Sequence, residues 1–251
     1  MAEIAVVTGA SSGIGAATAR HLVRAGFDVV IGARRVERLE DLKRQLEAEY
    51  PERIVTALPL DVSDVASVQA FTDAIEKVDV LVNNAGGALG VDRIETADEA
   101  DWSRMYDINV LSILRVTQSL LPKLRASPAA SVVTIGSVAA LEAYETGAGY
   151  NAAKHGARAV TRVLRLELKG EPIRVIEIDP GLVETEFSVV RLGGDQAAAD
   201  KIYQGVDNLT ADDIADAVTW TVTRPPHVNI DSIQIMPRDQ VAARNVHRRN
   251  V

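Results

Sequence analysis

The sequence predicts an α/β fold: one doubly wound parallel sheet with helices packed on both faces. Three observations carry that expectation. Short β-branched runs alternate with segments of helical period along most of the chain, the pattern of strand–helix–strand units with right-handed crossovers. Most of the strand segments are apolar throughout, as expected where both faces of a sheet are covered. The first strand runs into a glycine-rich turn that opens a helix, and ligands on such sheets bind beyond the carboxyl ends of the strands.

In order, Ile4–Thr8 reads as a strand and 14–25 as a helix that stops at Gly26, a C′ glycine. Residues 29–33 form the next strand, followed by a charged helix over 36–50 with a stop at Pro51. Strands at 54–58, Val80–Asn83, 131–135, 174–178 and Ser232–Ile235 continue the series. Two helix starts carry capping-box patterns, Thr96 to Glu99 and Thr210 to Asp213. No linker, low-complexity stretch or repeat divides the chain, so 1–251 is read as one domain, with a substrate loop at 181–207 and a tail at 237–251.

Composition narrows the function. The formal net charge is −8, a poor match to a phosphate backbone, since nucleic-acid binding draws on clustered Lys and Arg. The one basic cluster, Arg244, His247, Arg248 and Arg249, reads as a solvated tail. With no cysteine and four scattered histidines, thiol chemistry is excluded and no metal-ligand pattern exists. No apolar segment approaches a membrane span. The N-terminus runs into the first strand with no leader pattern, so a cytoplasmic location is expected.

The turn Thr8–Gly15 has the spacing Gly9-x3-Gly13-x-Gly15. Glycines there let backbone approach a pyrophosphate, which sits at a helix N-terminus. After the second strand, where a site that prefers NAD places an acid, the chain reads Ala33-Arg34-Arg35. A guanidinium grips a 2′-phosphate through charge-assisted bonds. One such contact is worth roughly 1.5–3 kcal/mol, about 10- to 150-fold. NADP is therefore expected, with Arg34 the main contact and Arg35 beside it; the alternative is that both open a solvated helix. Asp61, before Val62, either accepts from the adenine amino group or caps a helix. Asn83 and Asn84, before Ala85-Gly86-Gly87, tie strands together, line the cofactor cleft, or do both.

Ser137 follows the fifth strand, Tyr150 stands thirteen residues later and Lys154 four beyond that. Positions i and i+4 share one helix face, so Tyr150 and Lys154 can serve one site. A free tyrosine titrates near ~10, and bringing it to ~7 takes about 4 kcal/mol, roughly what one cation at ~4 Å supplies at an effective dielectric near 20. Tyr150 then exchanges a proton with a carbonyl or hydroxyl oxygen, and Ser137 positions that oxygen.

These motifs, with Asn109 and Pro180-Gly181, resemble the classical short-chain dehydrogenases/reductases over essentially the whole chain. The resemblance implies a single Rossmann-type domain and hydride transfer from a nicotinamide. It places cofactor contacts at Gly9, Ser11, Ser12, Gly13, Ile14 and Gly15, at Asp61 and Val62, and at Asn83, Ala85 and Gly86. Further contacts fall at Tyr150, Lys154, Pro180, Gly181, Val183 and Thr185, with Lys154 on the nicotinamide ribose and Thr185 on the carboxamide. It also implies that Asn109 anchors a water in a proton relay. Ser112 departs from the glycine usual there.

Within that family, Pro180-Gly-Leu-Val, Thr185-Glu-Phe-Ser188, Arg191, Pro226 to Ile230 and the terminal Asn245-Val-His-Arg248 look like the NADP-dependent 3-hydroxy acid dehydrogenases. That subgroup includes enzymes acting on serine, allo-threonine and malonic semialdehyde. The resemblance implies a homotetramer, with the tail at or near a subunit contact. Residues 181–204 are expected to form an irregular lid. Arg191 is either a cation for a small acidic substrate or an ordinary surface arginine.

Overall fold

The computed structural model describes residues 2–249. Met1 at the start of the expected domain, and Asn250 and Val251 at the end of the expected tail, lie outside the described residues. Seven strands form one sheet in the order β3-β2-β1-β4-β5-β6-β7, and every pairing is parallel. The strands are β1 Ile4–Thr8, β2 Asp28–Ala33, β3 Val55–Pro59, β4 Val80–Asn83, β5 Ala130–Ile135, β6 Ile173–Pro180 and β7 Ser232–Ile235. Strand order reverses between β1 and β4, which opens a crevice above their carboxyl ends.

Alternate side chains of each strand feed different cores. Ala5 and Val7 pack with Leu22, Leu39, Leu46 and Ile214, under α1 (Gly13–Arg24), α2 (Val36–Glu49) and α9 (Ala211–Val222). Val6 and Leu81 pack with Phe71, Leu120 and Leu124, under α3 (Val65–Asp73) and α5 (Ser112–Arg125). Strand β6 departs from the all-apolar expectation: it is buried along its length yet carries Arg174, Glu177 and Asp179.

Helix α4 (Glu99–Tyr106) continues through a π-helical turn, Asp107–Leu111, into α5. The expected Thr96 capping box does not form. Asp98 caps α4 by accepting from the Ala100 N–H, while the Thr96 hydroxyl donates to the Arg93 carbonyl. The Thr210–Asp213 box forms in full at α9. The expected irregular lid contains two short helices, α7 (Phe187–Arg191) and α8 (Gln196–Tyr203), after the long α6 (Ala148–Glu167). Among the described residues no helix is long and apolar enough to cross a membrane.

Candidate active site

A cleft of about 830 Å³ lies at the carboxyl ends of the central strands. Its floor begins at the β1–α1 turn. Gly9 has φ +68°, and a Cβ at Gly15 would collide with the Gly9 carbonyl and with Asn84 Nδ2, so the loop is packed too tightly for side chains. Asn84 holds it: its Nδ2 donates to the carbonyls of Thr8 at 2.8 Å and Gly9 at 3.2 Å. Ser11, Ser12, Gly13 and Ile14 line the cleft with Asp61, Val62, Ala85 and Gly86.

Asn83 ends β4. It does not line the cleft; its Nδ2 donates to Thr117 Oγ1 on α5 at 2.9 Å. Asn83 shares the face of Leu81, toward α5, because strand side chains alternate. Asp61 lines the cleft and leaves the capping of α3 to Asp64. Its Oδ1 accepts from the Ser63 N–H and hydroxyl, and the hydroxyl bond holds the carboxyl below its usual range.

Arg34 and Arg35 both reach the cleft wall. Arg34 is exposed. Arg35 is the more engaged: its guanidinium donates to Ser12 Oγ at 2.6 Å, to Ser11 Oγ and to Glu186 Oε2 at 2.9 Å. Arg38, one turn along, donates to the other Glu186 oxygen.

At the other end, Ser137, Tyr150 and Lys154 converge on the cleft. Ser137 follows β5; its N–H donates to Asp179 Oδ1 at 3.1 Å and its Oγ accepts from the Ala139 N–H. Lys154 Nζ donates to the Ile135 carbonyl at 2.9 Å and lies 5.9 Å from the Tyr150 ring centroid. Burial lowers Lys154 to about 8 against the pull of Asp179 and Glu177. For Tyr150 burial wins in the protein alone and raises the phenol above its ordinary value, opposed by Ser137 and Arg191. That differs from the sequence expectation of a phenol lowered by Lys154. The ring is buried beneath Phe187 of the lid, centroids 5.5 Å apart.

Asn109 stands on the π turn after α4. It is buried outside the cleft lining, with Nδ2 donating to the Gly87 and Met105 carbonyls and Oδ1 accepting from the Gly87 N–H. The amide braces the β4 loop from behind. Ser112 donates to the Ile108 carbonyl, so its hydroxyl serves the π turn.

Pro180, Gly181, Val183 and Thr185 line the cleft. Arg191 is in the cleft and not on the surface: it is buried, with its guanidinium carbon 5.6 Å from the Tyr150 ring centroid. Among the described residues it donates only to neutral acceptors, the Gly90 and Thr146 carbonyls and Tyr144 Oη. Sequence reasoning missed Tyr144 and Glu186 and read Arg244 as part of a solvated tail, yet all three line the cleft.

Known proteins resemble the chain closely. An uncharacterized oxidoreductase of Mycobacterium tuberculosis is 52% identical over 241 residues, covering 96% of this chain and 93% of that protein. Sulfoacetaldehyde reductase of Chromohalobacter salexigens is 41% identical over 243 residues, covering 96% of each. A structure of serine dehydrogenase in its closed form, complexed with NADP+, matches with a TM-score of 0.90 at 37% identity, covering 98% of this chain and 100% of that one. The short chain dehydrogenase family model matches residues 3–192, and the chain belongs to that family of oxidoreductases.

Proposed function

We propose that the protein is an NADP-dependent enzyme that interconverts a small 3-hydroxy acid and its 3-oxo acid or semialdehyde. The observation that carries the substrate class is Arg191, a buried cation beside Tyr150 whose partners among the described residues are all neutral. A desolvated guanidinium with spare charge suits a carboxylate or similar anion on the substrate. The names of two relatives, serine dehydrogenase and sulfoacetaldehyde reductase, describe substrates that pair a reacting oxygen with an acid group.

The cleft fits the dinucleotide. The tight glycine turn offers backbone N–H groups to a pyrophosphate, and Arg34, Arg35 and Arg38 offer cations to a 2′-phosphate where no acid follows β2. When bound, the nicotinamide supplies or accepts the hydride. Tyr150, kept protonated by burial, is in the form that donates a proton to a substrate carbonyl. Ser137 holds the same oxygen near the phenol, and Lys154, charged below about 8, adds positive charge beneath them. The stretch 181–207 closes over the substrate, and Phe187 shields Tyr150 from water. One domain, a homotetramer and a cytoplasmic location belong to the same proposal; light scattering in solution tests the assembly.

The test is a panel followed by NADPH absorbance: malonic semialdehyde and 3-hydroxypropionate against neutral aldehydes and alcohols, with wild type and Arg191→Ala. Loss of Arg191 should raise KM for the acids by about 10- to 150-fold. A wild type that turns over only neutral carbonyls overturns the reading.

A further inference from the structure

We infer that Arg244, on the C-terminal tail, is a second cation of the substrate subsite, and that the acid it serves carries no ammonium group. This rests on the reading of the enzyme as acting on a small hydroxy or oxo acid.

Arg244 stands at the mouth of the cleft with Gln240 and Ala243. Its guanidinium carbon lies 4.5 Å from the centroid of the Tyr144 ring, and that of Arg191 lies 5.9 Å from the same ring. Tyr144 thus carries two cations on one aromatic platform. Among the described residues neither arginine forms an ion pair. Arg244 is exposed at this edge of the cleft; partial desolvation lowers its pKa, Tyr144 opposes that, and the charge of Arg191 adds to it, as expected of cations close enough to repel each other.

The tail is anchored on both sides of Arg244. The Ala243 N–H donates to Glu142 Oε2 at 2.8 Å, Arg248 donates to the Ile202 carbonyl at 3.0 Å, and Arg249 pairs with Asp207 and Asp239 at 2.7 Å. Arg244 is therefore presented by a fastened segment.

Among the described residues, the acids of the cleft lining are Asp61 and Glu186. Asp61 follows β3 and accepts from Ser63; Glu186 is paired with Arg35 and Arg38. Glu142, just outside, accepts from the tail backbone. Among the described residues, the substrate end therefore holds two cations that no carboxylate pairs with. A carboxylate or sulfonate supplies the missing negative charge. The α-ammonium of an amino acid would face like charge with no acid to receive it, the arrangement that excludes a ligand.

The experiment compares wild type, Arg244→Ala, Arg244→Lys and Arg238→Ala with NADP and 3-hydroxypropionate, 2-hydroxyethanesulfonate, L-serine and 1-propanol. Arg238 is a tail arginine outside the cleft lining that faces Asp207 and Asp239, so its loss controls for tail charge. In wild type the two ammonium-free acids should exceed L-serine in kcat/KM by about tenfold or more. Arg244→Ala should raise KM for both by about tenfold or more, narrow their lead over L-serine and 1-propanol, and weaken calorimetric binding of 3-hydroxypropionate to match. Arg244→Lys should fall between, and Arg238→Ala should resemble wild type. The inference is overturned if Arg244→Ala leaves KM for the acids unchanged, if 1-propanol suffers equally, or if L-serine is the best wild-type substrate. If wild type oxidises 1-propanol and none of the acids, the functional reading itself falls.

Discussion

Glu186 bridges the mouth of the cleft to Arg35, with Oε2 2.9 Å from Arg35 Nη1, while its other oxygen accepts from Arg38. The two guanidinium groups pull the Glu186 carboxyl down to about 2. The loop after β6 is thereby tied to the start of α2 and, through Arg35, to Ser11 and Ser12. These side chains are roughly half-exposed, so each pair is worth about 1 kcal/mol at most.

A carboxylate on these arginines competes with a phosphate. Glu186→Gln should tighten NADP binding by up to about fivefold and leave NAD binding unchanged, read by fluorescence titration of both dinucleotides. An equal change for both would assign Glu186 to holding the loop alone.

Tyr150→Phe removes the proton donor and keeps the ring against Phe187. Turnover should fall by about 10²- to 10⁴-fold, with NADP binding and the thermal midpoint close to wild type. Retained turnover would reassign the acid.

The adjacent asparagines separate two roles. Asn84→Ala leaves the Thr8 and Gly9 carbonyls without their amide donor; it should cost about 1–3 kcal/mol of stability and weaken cofactor binding. Asn83→Ala, losing the bond to Thr117, should lower stability alone. Denaturant titration and cofactor titration together distinguish them.

Burial, reinforced by Asp179, raises Glu177 from 4.5 to about 7. Between those values the folded protein holds a proton that the unfolded chain has released, so stability falls as pH rises through the window. Thermal midpoints from pH 4.5 to 7 should show that decline, and Glu177→Gln should flatten it. An unchanged slope in the variant would place the pH dependence elsewhere.

What local chemistry dictates is legible in the residues themselves. Strand and helix limits follow from hydrophobic period and from stops such as Gly26 and Pro51, so β1, β4 and β7 fall where expected and most other ends shift by a residue or two. The shared face of Tyr150 and Lys154 is a property of any helix, and the arginines after β2 depend only on chain order. Tertiary packing decided the rest. Val80, Leu81 and Val82 are all apolar, so nothing in β4 says which face Asn83 takes, and the choice of Asn84 for the glycine loop is made by the sheet. Asp98 displaces Thr96 as a cap once the short turn at Ile94–Thr96 forms. Asn109 turns inward because the π turn and the Gly87 loop close on it. Arg191 and Arg244 meet at Tyr144 from 47 and 100 residues along the chain. Contacts of that range come from how elements pack, which no local pattern encodes.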